Sequence, residues 1–180
     1  MKTCFIGHRE IIVDDIRERI EIAIMIAMAN GCKSFIMGTH GDFDGWALAA
    51  CRHLRKTFKD IDIEVAITSR NALKKSNDGY RNNQYDDVKT VMFDIEKAHY
   101  KSRITLSNRK MIDECDTLIC YVETAAKYRS GARTAMRYAE KRGLKIINLY
   151  REEDNPIHNL TDKEVYELLK AIREDALDKK

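Results

Sequence analysis

The sequence predicts an α/β fold in three layers, in which helices flank both faces of a mainly parallel sheet. Short β-branched or apolar runs alternate along the chain with segments of helical period, which is the pattern of strands that are joined by crossover helices. A length of 180 residues is also enough for one compact domain with a substantial core. We therefore expect residues 1–180 to form a single domain.

Six short segments have the composition of buried strands, being rich in Val, Ile, Leu and Phe over a few residues. They are KTCFIG (2–7), KSFIMG (33–38), IDIEVAI (61–67), KTVMFDI (89–95), DTLICYV (116–122) and LKIINLY (144–150).

Helices are expected between these strands. In the first, from about 13 to 30, Ile16, Ile20, Ala23, Ile24 and Ala27 recur at helical spacing, and a glycine follows at the C-cap. Others are expected from about 42 to 58, from about 102 to 115 and after residue 130. A last amphipathic helix, at about 161–178, begins with the capping box Thr161-x-x-Glu164.

One stretch interrupts the alternation. Residues 69–90 are polar and rich in Asn, and they form a long segment without helical or strand periodicity. We interpret them as an insertion or flap over the ligand end of the sheet, which a ligand should order.

Composition excludes several classes of protein. The 32 basic and 29 acidic residues leave a net charge of only +3, which does not by itself indicate nucleic-acid binding. The five cysteines contain no CxxC pair, so neither a disulfide framework nor a zinc site is indicated. No apolar run approaches the ~20 residues that span a bilayer. We expect a cytoplasmic protein with no cofactor, no metal and no membrane association.

Three strand-to-helix turns carry the candidate binding residues. In a parallel sheet, ligands bind beyond the carboxyl ends of the strands, where helix N-termini offer free N–H groups to anions. The candidate ligand-binding residues in these turns are Gly7, His8 and Arg9 in the first, Gly38, Thr39, Gly41 and Asp44 in the second, and Ser130, Gly131 and Ala132 in the third. We predict one pocket for a nucleotide, with its phosphate at the third turn.

The second turn, GTHGDFDG, allows other interpretations. His40, Asp42 and Asp44 could hold a metal together with His8, although their spacing matches no defined metal site. Alternatively, the two aspartates only cap the helix and shape the turn.

Four motifs together resemble the SLOG superfamily, most closely its YpsA-like bacterial branch. They are CFIGHR (4–9), GTHGDFDGWALAA (38–50), NRKMIDECDTLICYV (108–122) and SGARTAMRYAEKRGLKIINL (130–149). The resemblance implies a three-layer Rossmann-like fold and a ligand-facing turn after the first strand.

Two relatives of that superfamily suggest alternative functions. DNA-processing proteins of the DprA type share a turn similar to SGARTA. The LOG phosphoribohydrolases, which release a base from a nucleoside monophosphate, have an RK pair that Arg109 and Lys110 match. They also use a glutamate in a PGGxGTxxE turn, whereas this chain has no acid between Ala125 and Ala139. Glu123 is the remaining candidate for a catalytic carboxylate, and whether the protein is an enzyme stays open.

Three functions remain at this point. The first is a sensor or regulatory module that binds a nucleotide or a nucleotide-derived small molecule. The second is a nucleoside 5'-monophosphate phosphoribohydrolase of LOG type, for which Arg109 and Arg103 are candidate phosphate ligands. The third is a single-stranded DNA-binding protein of DprA type, in which basic side chains near the third turn contact phosphates: Lys127, Arg129, Arg133 and Arg137.

The sequence of the first helix also predicts that its outer side contacts another apolar surface. It is apolar nearly all round between Ile22 and Ala29, which is more than one sheet-facing stripe requires. We expect either a homodimer or a contact with the carboxy-terminal helix through Ile22, Met25, Ile26 and Ala29.

Overall fold

A computed structural model describes residues 1–69, 83–95, 98–124 and 130–154 of the chain. The chain divides into two compact units, Met1–Leu149 and Tyr150–Lys180. In the described residues of the second unit, a 3-10 turn spans Glu152–Asp154. The first unit contains the sheet and the helices that pack on it, so it carries the α/β fold.

The sheet consists of six parallel strands in the order β4-β3-β2-β1-β5-β6. The strands span Lys2–Gly7 (β1), Ser34–Met37 (β2), Asp62–Ala66 (β3), Lys89–Val91 (β4), Thr117–Tyr121 (β5) and Lys145–Asn148 (β6). All six coincide with predicted strands. The three-layer α/β fold class is thereby confirmed.

Four helices complete the layers: Ile16–Ala29 (α1), Asp42–Arg55 (α2), Tyr100–Asp113 (α3) and Gly131–Lys141 (α4). Helices α1 and α2 pack against each other, as do α3 and α4. The buried side chains of α3 and α4 share one core with alternate residues of the central strands, such as Cys4, Ile6 and Leu118. Because successive residues of a strand point to opposite faces, the residues between them face the other helix layer.

The central strand β1 is buried on both faces. Cys4, Phe5 and Ile6 are all at most 3% exposed, as expected for a parallel strand that is covered by helices above and below. This burial explains why KTCFIG is a continuous apolar run rather than an alternating one.

The structure describes part of the polar segment and none of the predicted carboxy-terminal helix. Residues 70–82 and 161–178 lie outside the described residues. Within 83–90, a 3-10 turn spans Asn83–Tyr85, and Lys89 already belongs to β4. Arg52 and Arg55 of α2 both bind the Asp87 carboxylate, so the carboxyl end of the predicted flap is attached to α2.

None of the helices among the described residues combines the length and the hydrophobicity needed to cross a bilayer.

The strand order reverses next to β1. The chain runs outward from β1 through β2 and β3 to β4, and it then returns to place β5 on the other side of β1. At such a switch point the connections leave to opposite faces of the sheet, so a crevice opens beyond the carboxyl ends of the two strands. The candidate site should therefore lie beyond Gly7 and Tyr121.

Candidate functional site

A cleft of about 290 Å³ opens at this switch point. The end of β1, the turn before α2, one side of α3 and the start of α4 form its walls. Eight of the predicted binding residues line it: Gly7, His8, Arg9, Gly41, Asp44, Ser130, Gly131 and Ala132. The three turns that were predicted to share one pocket thus meet in space.

Two glycines in the cleft wall allow close packing between protein segments. A Cβ on Gly7 would lie 2.3 Å from Cγ of Phe43, and a Cβ on Gly41 would lie 2.8 Å from Cα of Arg9. Cβ atoms do not approach other atoms this closely, so neither position has room for a side chain. Phe43 itself is buried and packs against Phe5 and Tyr121.

His8 joins the ends of β1 and β5. Its N–H donates to the carbonyl of Tyr121 at 3.2 Å, and its ring Nε2 accepts the N–H of Glu123 at 3.0 Å. Accepting at Nε2 places the ring proton of the neutral imidazole on Nδ1. Burial lowers the pKa of His8, although the charge of Glu123 opposes the shift. His8 is therefore a neutral side chain in the cleft wall near pH 7.

Arg9 provides the positive charge of the cleft. The residue is exposed at the rim, and among the described residues it has no carboxylate partner. The loop that carries it is attached to α2, because the N–H of Asp42 donates to the carbonyl of Arg9 at 2.8 Å. One oxygen of the Asp42 carboxylate also accepts the N–H of Ile11 at 3.1 Å. These bonds hold the first turn against the second.

The Asp44 side chain folds back into its own turn. Its Oδ2 accepts the N–H of His40 at 2.8 Å, and the backbone groups of Gly38 and Gly41 also donate to the carboxylate. Burial nevertheless raises the pKa of Asp44 to about 6, because desolvation outweighs these hydrogen bonds. A Cβ on Gly38 would lie only 3.0 Å from Asp44 Oδ2.

The metal interpretation of this turn receives no support from the geometry. Asp42 and Asp44 bind backbone N–H groups of different segments, while Nε2 of His40 lies 3.0 Å from Oγ1 of Thr68. Among the described residues, no three His, Cys, Asp or Glu side chains converge closely enough to hold a metal ion.

His40 lines the cleft although it was considered only as a metal ligand. Burial and the nearby charge of Arg9 both lower its pKa. Like His8, it is neutral near pH 7, which leaves the Arg9 guanidinium as the cationic side chain in this part of the cleft.

The N-terminus of α4 presents backbone donors that the helix itself does not use. Ser130 is the N-cap, and its Oγ accepts the N–H of Arg133 at 3.0 Å. The N–H groups of Gly131 and Ala132 belong to the first turn and have no intrahelical acceptor. No acid occupies this turn, and a Cβ on Gly131 would meet no atom of the described residues within 4 Å. Space and donors are therefore both available here.

Helix α3 contributes Ile104 and Asn108 to the cleft. Neither was predicted, although their i, i+4 spacing is a signal for a shared face. Arg109, which was predicted, lies one position further round the helix. Its guanidinium stacks over the Tyr138 ring of α4 at 5.5 Å. It lines a second, smaller depression between α3 and α4, which shares Asn108 and Gly131 with the cleft.

Three other predicted residues are not in the cleft wall. Gly38 and Thr39 are half-buried in the turn before α2, where Gly38 contacts Asp44. Glu123 donates its N–H to His8, and its side chain is absent from the residues that line the cleft.

The fold and the cleft define a class of protein, namely Rossmann-like α/β domains with a ligand cleft at the switch point of a parallel sheet. A model described as the YspA SLOG family, YpsA, matches residues 4–154. The chain belongs to this family, which confirms the resemblance that its motifs indicate. No curated protein matches the sequence closely enough to count as a relative.

A solved structure shares the fold. It is DNA processing protein A from Helicobacter pylori, described for its single-stranded DNA binding mode. The sequences are 17% identical, the TM-score is 0.59, and the match covers 95% of this chain and 72% of that one. At this identity the likeness supports the fold and does not assign a function.

Proposed function

We propose that the cleft binds a nucleotide or a nucleotide-derived small molecule and that the protein acts as a sensor or regulatory binding module. The observation that carries the proposal is the meeting of Arg9 with the free N–H groups of α4 in one cleft at the switch point. A guanidinium and a helix N-terminus are both suited to a phosphate group.

In this proposal the phosphate lies at Ser130, Gly131 and Ala132. The absence of acid from the first turn of α4 leaves the partial positive charge of the helix dipole uncompensated there. The open space beside Gly131 lets a phosphate oxygen reach the backbone N–H groups without meeting a side chain.

The rest of the cleft suits a nucleoside. Ile104 provides an apolar contact, while Asn108 and the ring of His8 provide hydrogen-bonding groups. Small-molecule sites likewise combine apolar surface with a few polar groups that fix the orientation of the ligand.

Binding without turnover is favoured by the positions of the acids. Asp44 is the one carboxylate residue among the described residues that line the cleft, and its oxygens are held by backbone N–H groups. Glu123, the candidate catalytic acid, does not line the cleft. A phosphoribohydrolase of LOG type would need a carboxylate that faces the ribose.

The likeness to DNA processing protein A supports a second candidate, the binding of single-stranded DNA. Arg133 and Arg137 on α4 are the basic residues of the described chain that would contact phosphates in this case. A salt-sensitive gel shift with single-stranded DNA, lost in the double variant Arg133→Gln/Arg137→Gln, would support it.

The phosphate position is tested by Gly131→Asp. An added carboxylate should repel a phosphate at the start of α4, yet an acid in the first turn is compatible with the helix dipole. For the nucleotide that gives the largest thermal shift in a panel of nucleoside monophosphates, diphosphates and cyclic nucleotides, we expect affinity to fall at least tenfold. The melting temperature without ligand should change by no more than about 2 °C.

Gly45→Asp is the matched control for this experiment. Gly45 is also a helical glycine whose Cβ would meet nothing within 4 Å, but it lies outside the cleft wall. Affinity should remain unchanged in this variant. Unchanged affinity in Gly131→Asp would mean that the phosphate does not lie at α4, and a panel without any binding nucleotide would refute the proposed function.

We also propose a second copy of the chain as the partner of α1. Ile22, Met25 and Ile26 are 55%, 44% and 46% exposed, and with Ala29 they form a row at i, i+3, i+4 and i+7. Two such rows can pack around a twofold axis. Light scattering should give twice the chain mass of 20.9 kDa, and Met25→Glu should give the monomer.

Ile12→Glu is the control for that experiment, because Ile12 is exposed but lies outside α1. The mass should be unchanged in this variant. A monomeric wild-type protein would rule out the homodimer.

A further inference from the structure

Four helices follow strands at the carboxyl edge of the sheet, and their N-termini differ in charge. Helix α1 begins at Ile16, well beyond the end of β1, and has Asp15 at its N-cap and Glu18 in its first turn. Helix α2 has Asp42 and Asp44 in its first turn. Helices α3 and α4 have no acid in the first turn. Of these two, α4 has a serine cap, and its first residues line the cleft.

The acids of α2 already bind the donors around that helix. Asp42 accepts from Ile11, and Asp44 accepts from the turn that precedes the helix, including the N–H of His40 at 2.8 Å. The backbone donors that Asp44 holds are the groups that a second phosphate would need. The carboxylate of Asp44 therefore occupies the anion-binding position of the second turn.

We propose that Asp44 is a specificity-determining residue that restricts the cleft to ligands with a single phosphate group. This inference rests on the proposed function, because it assumes that a first phosphate binds at the start of α4. Asp44, Gly131 and Ala132 line the same cleft, so a second phosphate that extends from α4 towards α2 approaches a carboxylate instead of free N–H groups.

The other charges of the described cleft residues do not compensate for a second phosphate. His8 and His40 are neutral near pH 7 because burial lowers the pKa of each. Among the described residues that line the cleft, Arg9 is the one cationic side chain. One guanidinium and one helix N-terminus match the charge of one phosphate group, whereas a diphosphate brings further negative charge next to Asp44.

The test compares AMP with ADP and GMP with GDP, so that each pair differs by one phosphate group. Calorimetric titrations at pH 7.5 in EDTA avoid metal-bound nucleotide. For the wild-type protein we expect the monophosphate of the better-binding pair to bind at least tenfold more tightly than its diphosphate. In Asp44→Asn we expect the ratio to fall below threefold, through tighter binding of the diphosphate.

Asp42→Asn is the matched control, because it removes one negative charge from the same helical turn outside the cleft wall. It should retain the wild-type ratio. If it lowers the ratio as much as Asp44→Asn does, the effect comes from net charge and the inference is wrong.

A second measurement does not depend on the variants. In the wild-type protein, amide NMR shifts on addition of the monophosphate should be large at Gly131 and Ala132 and small at His40 and Gly41. Equal or tighter binding of the diphosphate, with shifts at both turns, overturns the role of Asp44 and leaves the proposed function intact. No binding of any of the four nucleotides overturns this inference, and the proposed function falls with it if the rest of the nucleotide panel does not bind either.

Discussion

Gly7→Ala should lower the free energy of unfolding by about 3 kcal/mol, the upper part of the usual range for overpacking a core. The new Cβ would lie 2.3 Å from Cγ of Phe43. The ring cannot move away easily, because it is buried and packs against Phe5 and Tyr121. The φ angle of Gly7 is not positive, so the cost comes from packing and not from backbone strain.

Urea unfolding at pH 7.5 measures this effect, and Gly131→Ala serves as the control. A Cβ on Gly131 meets nothing within 4 Å, and alanine favours the helix by roughly 0.5–1 kcal/mol relative to glycine. We therefore expect the control to be as stable as the wild-type protein or more so. Equal stability of the two variants would show that β1 and α2 are not in close contact at Phe43.

The coupling between the two positions can be measured directly. Phe43→Leu removes part of the ring that Gly7→Ala would meet, so the double variant should be more stable than the sum of the two single effects indicates. Strict additivity would contradict a direct contact.

The second large effect concerns the pH dependence of stability at Asp44. Folding raises its pKa from 3.8 to about 6, so the folded state holds the proton more tightly than the unfolded state does. The ionised side chain therefore costs stability above pH 6, and this cost disappears as the pH falls towards 4. This cost in the free energy of unfolding is up to about 3 kcal/mol at pH 7.5 and about half of that at pH 5.

Asp44→Asn removes this titration. We expect the stability of the variant relative to the wild-type protein to fall by roughly 1.5 kcal/mol when the pH is lowered from 7.5 to 5. Unfolding free energies of both proteins at each pH give this difference.

Comparison with the variant is necessary because two histidines titrate in the same range. The pKa values of His8 and His40 are lowered by folding, so their contribution to stability is lost as the pH falls through about 6.5. This loss has the opposite sign to the gain at Asp44. It cancels in the difference between wild type and variant, and a difference that is independent of pH would contradict a raised pKa at Asp44.

The sheet could be predicted from the sequence because parallel strands that are buried on both faces must be continuously apolar. This constraint makes segments such as DTLICYV distinctive, and β5 falls within it at Thr117–Tyr121. The ends of a strand are harder to predict when the strand lies at the edge of the sheet. The segment KTVMFDI forms only the three residues of β4, because a single neighbour, β3, gives it fewer ladder bonds.

The position of the cleft was also predictable, since glycine-rich turns after parallel strands lie at one edge of the sheet. Individual side chains were harder to assign. Arg109 and Asn108 are adjacent in sequence, but a helix turns by about 100° per residue, so Asn108 faces the cleft while Arg109 faces Tyr138. A motif match identifies the helix but does not show which of its faces is turned towards the ligand.

The role of a glycine near the site is also hard to predict from the sequence. Sequence indicates that a glycine is needed close to a site, but not whether a ligand or the protein itself comes near it. Gly7 and Gly41 are required by Phe43 and Arg9, whereas Gly131 adjoins open space. The difference depends on contacts between segments that are far apart in the chain.

The cleft lies where two helix layers that the sheet keeps apart come within reach of the same small molecule. Asp44 and Phe43 belong to the layer of α1 and α2, and Asn108 and Gly131 belong to the layer of α3 and α4. A molecule that touches both layers makes it harder for either one to detach from the sheet alone. Under the proposed function, ligand binding would therefore make the outer surfaces of both helix layers more rigid, although the ligand does not contact them. A partner protein that binds such a surface would distinguish the occupied cleft from the empty one.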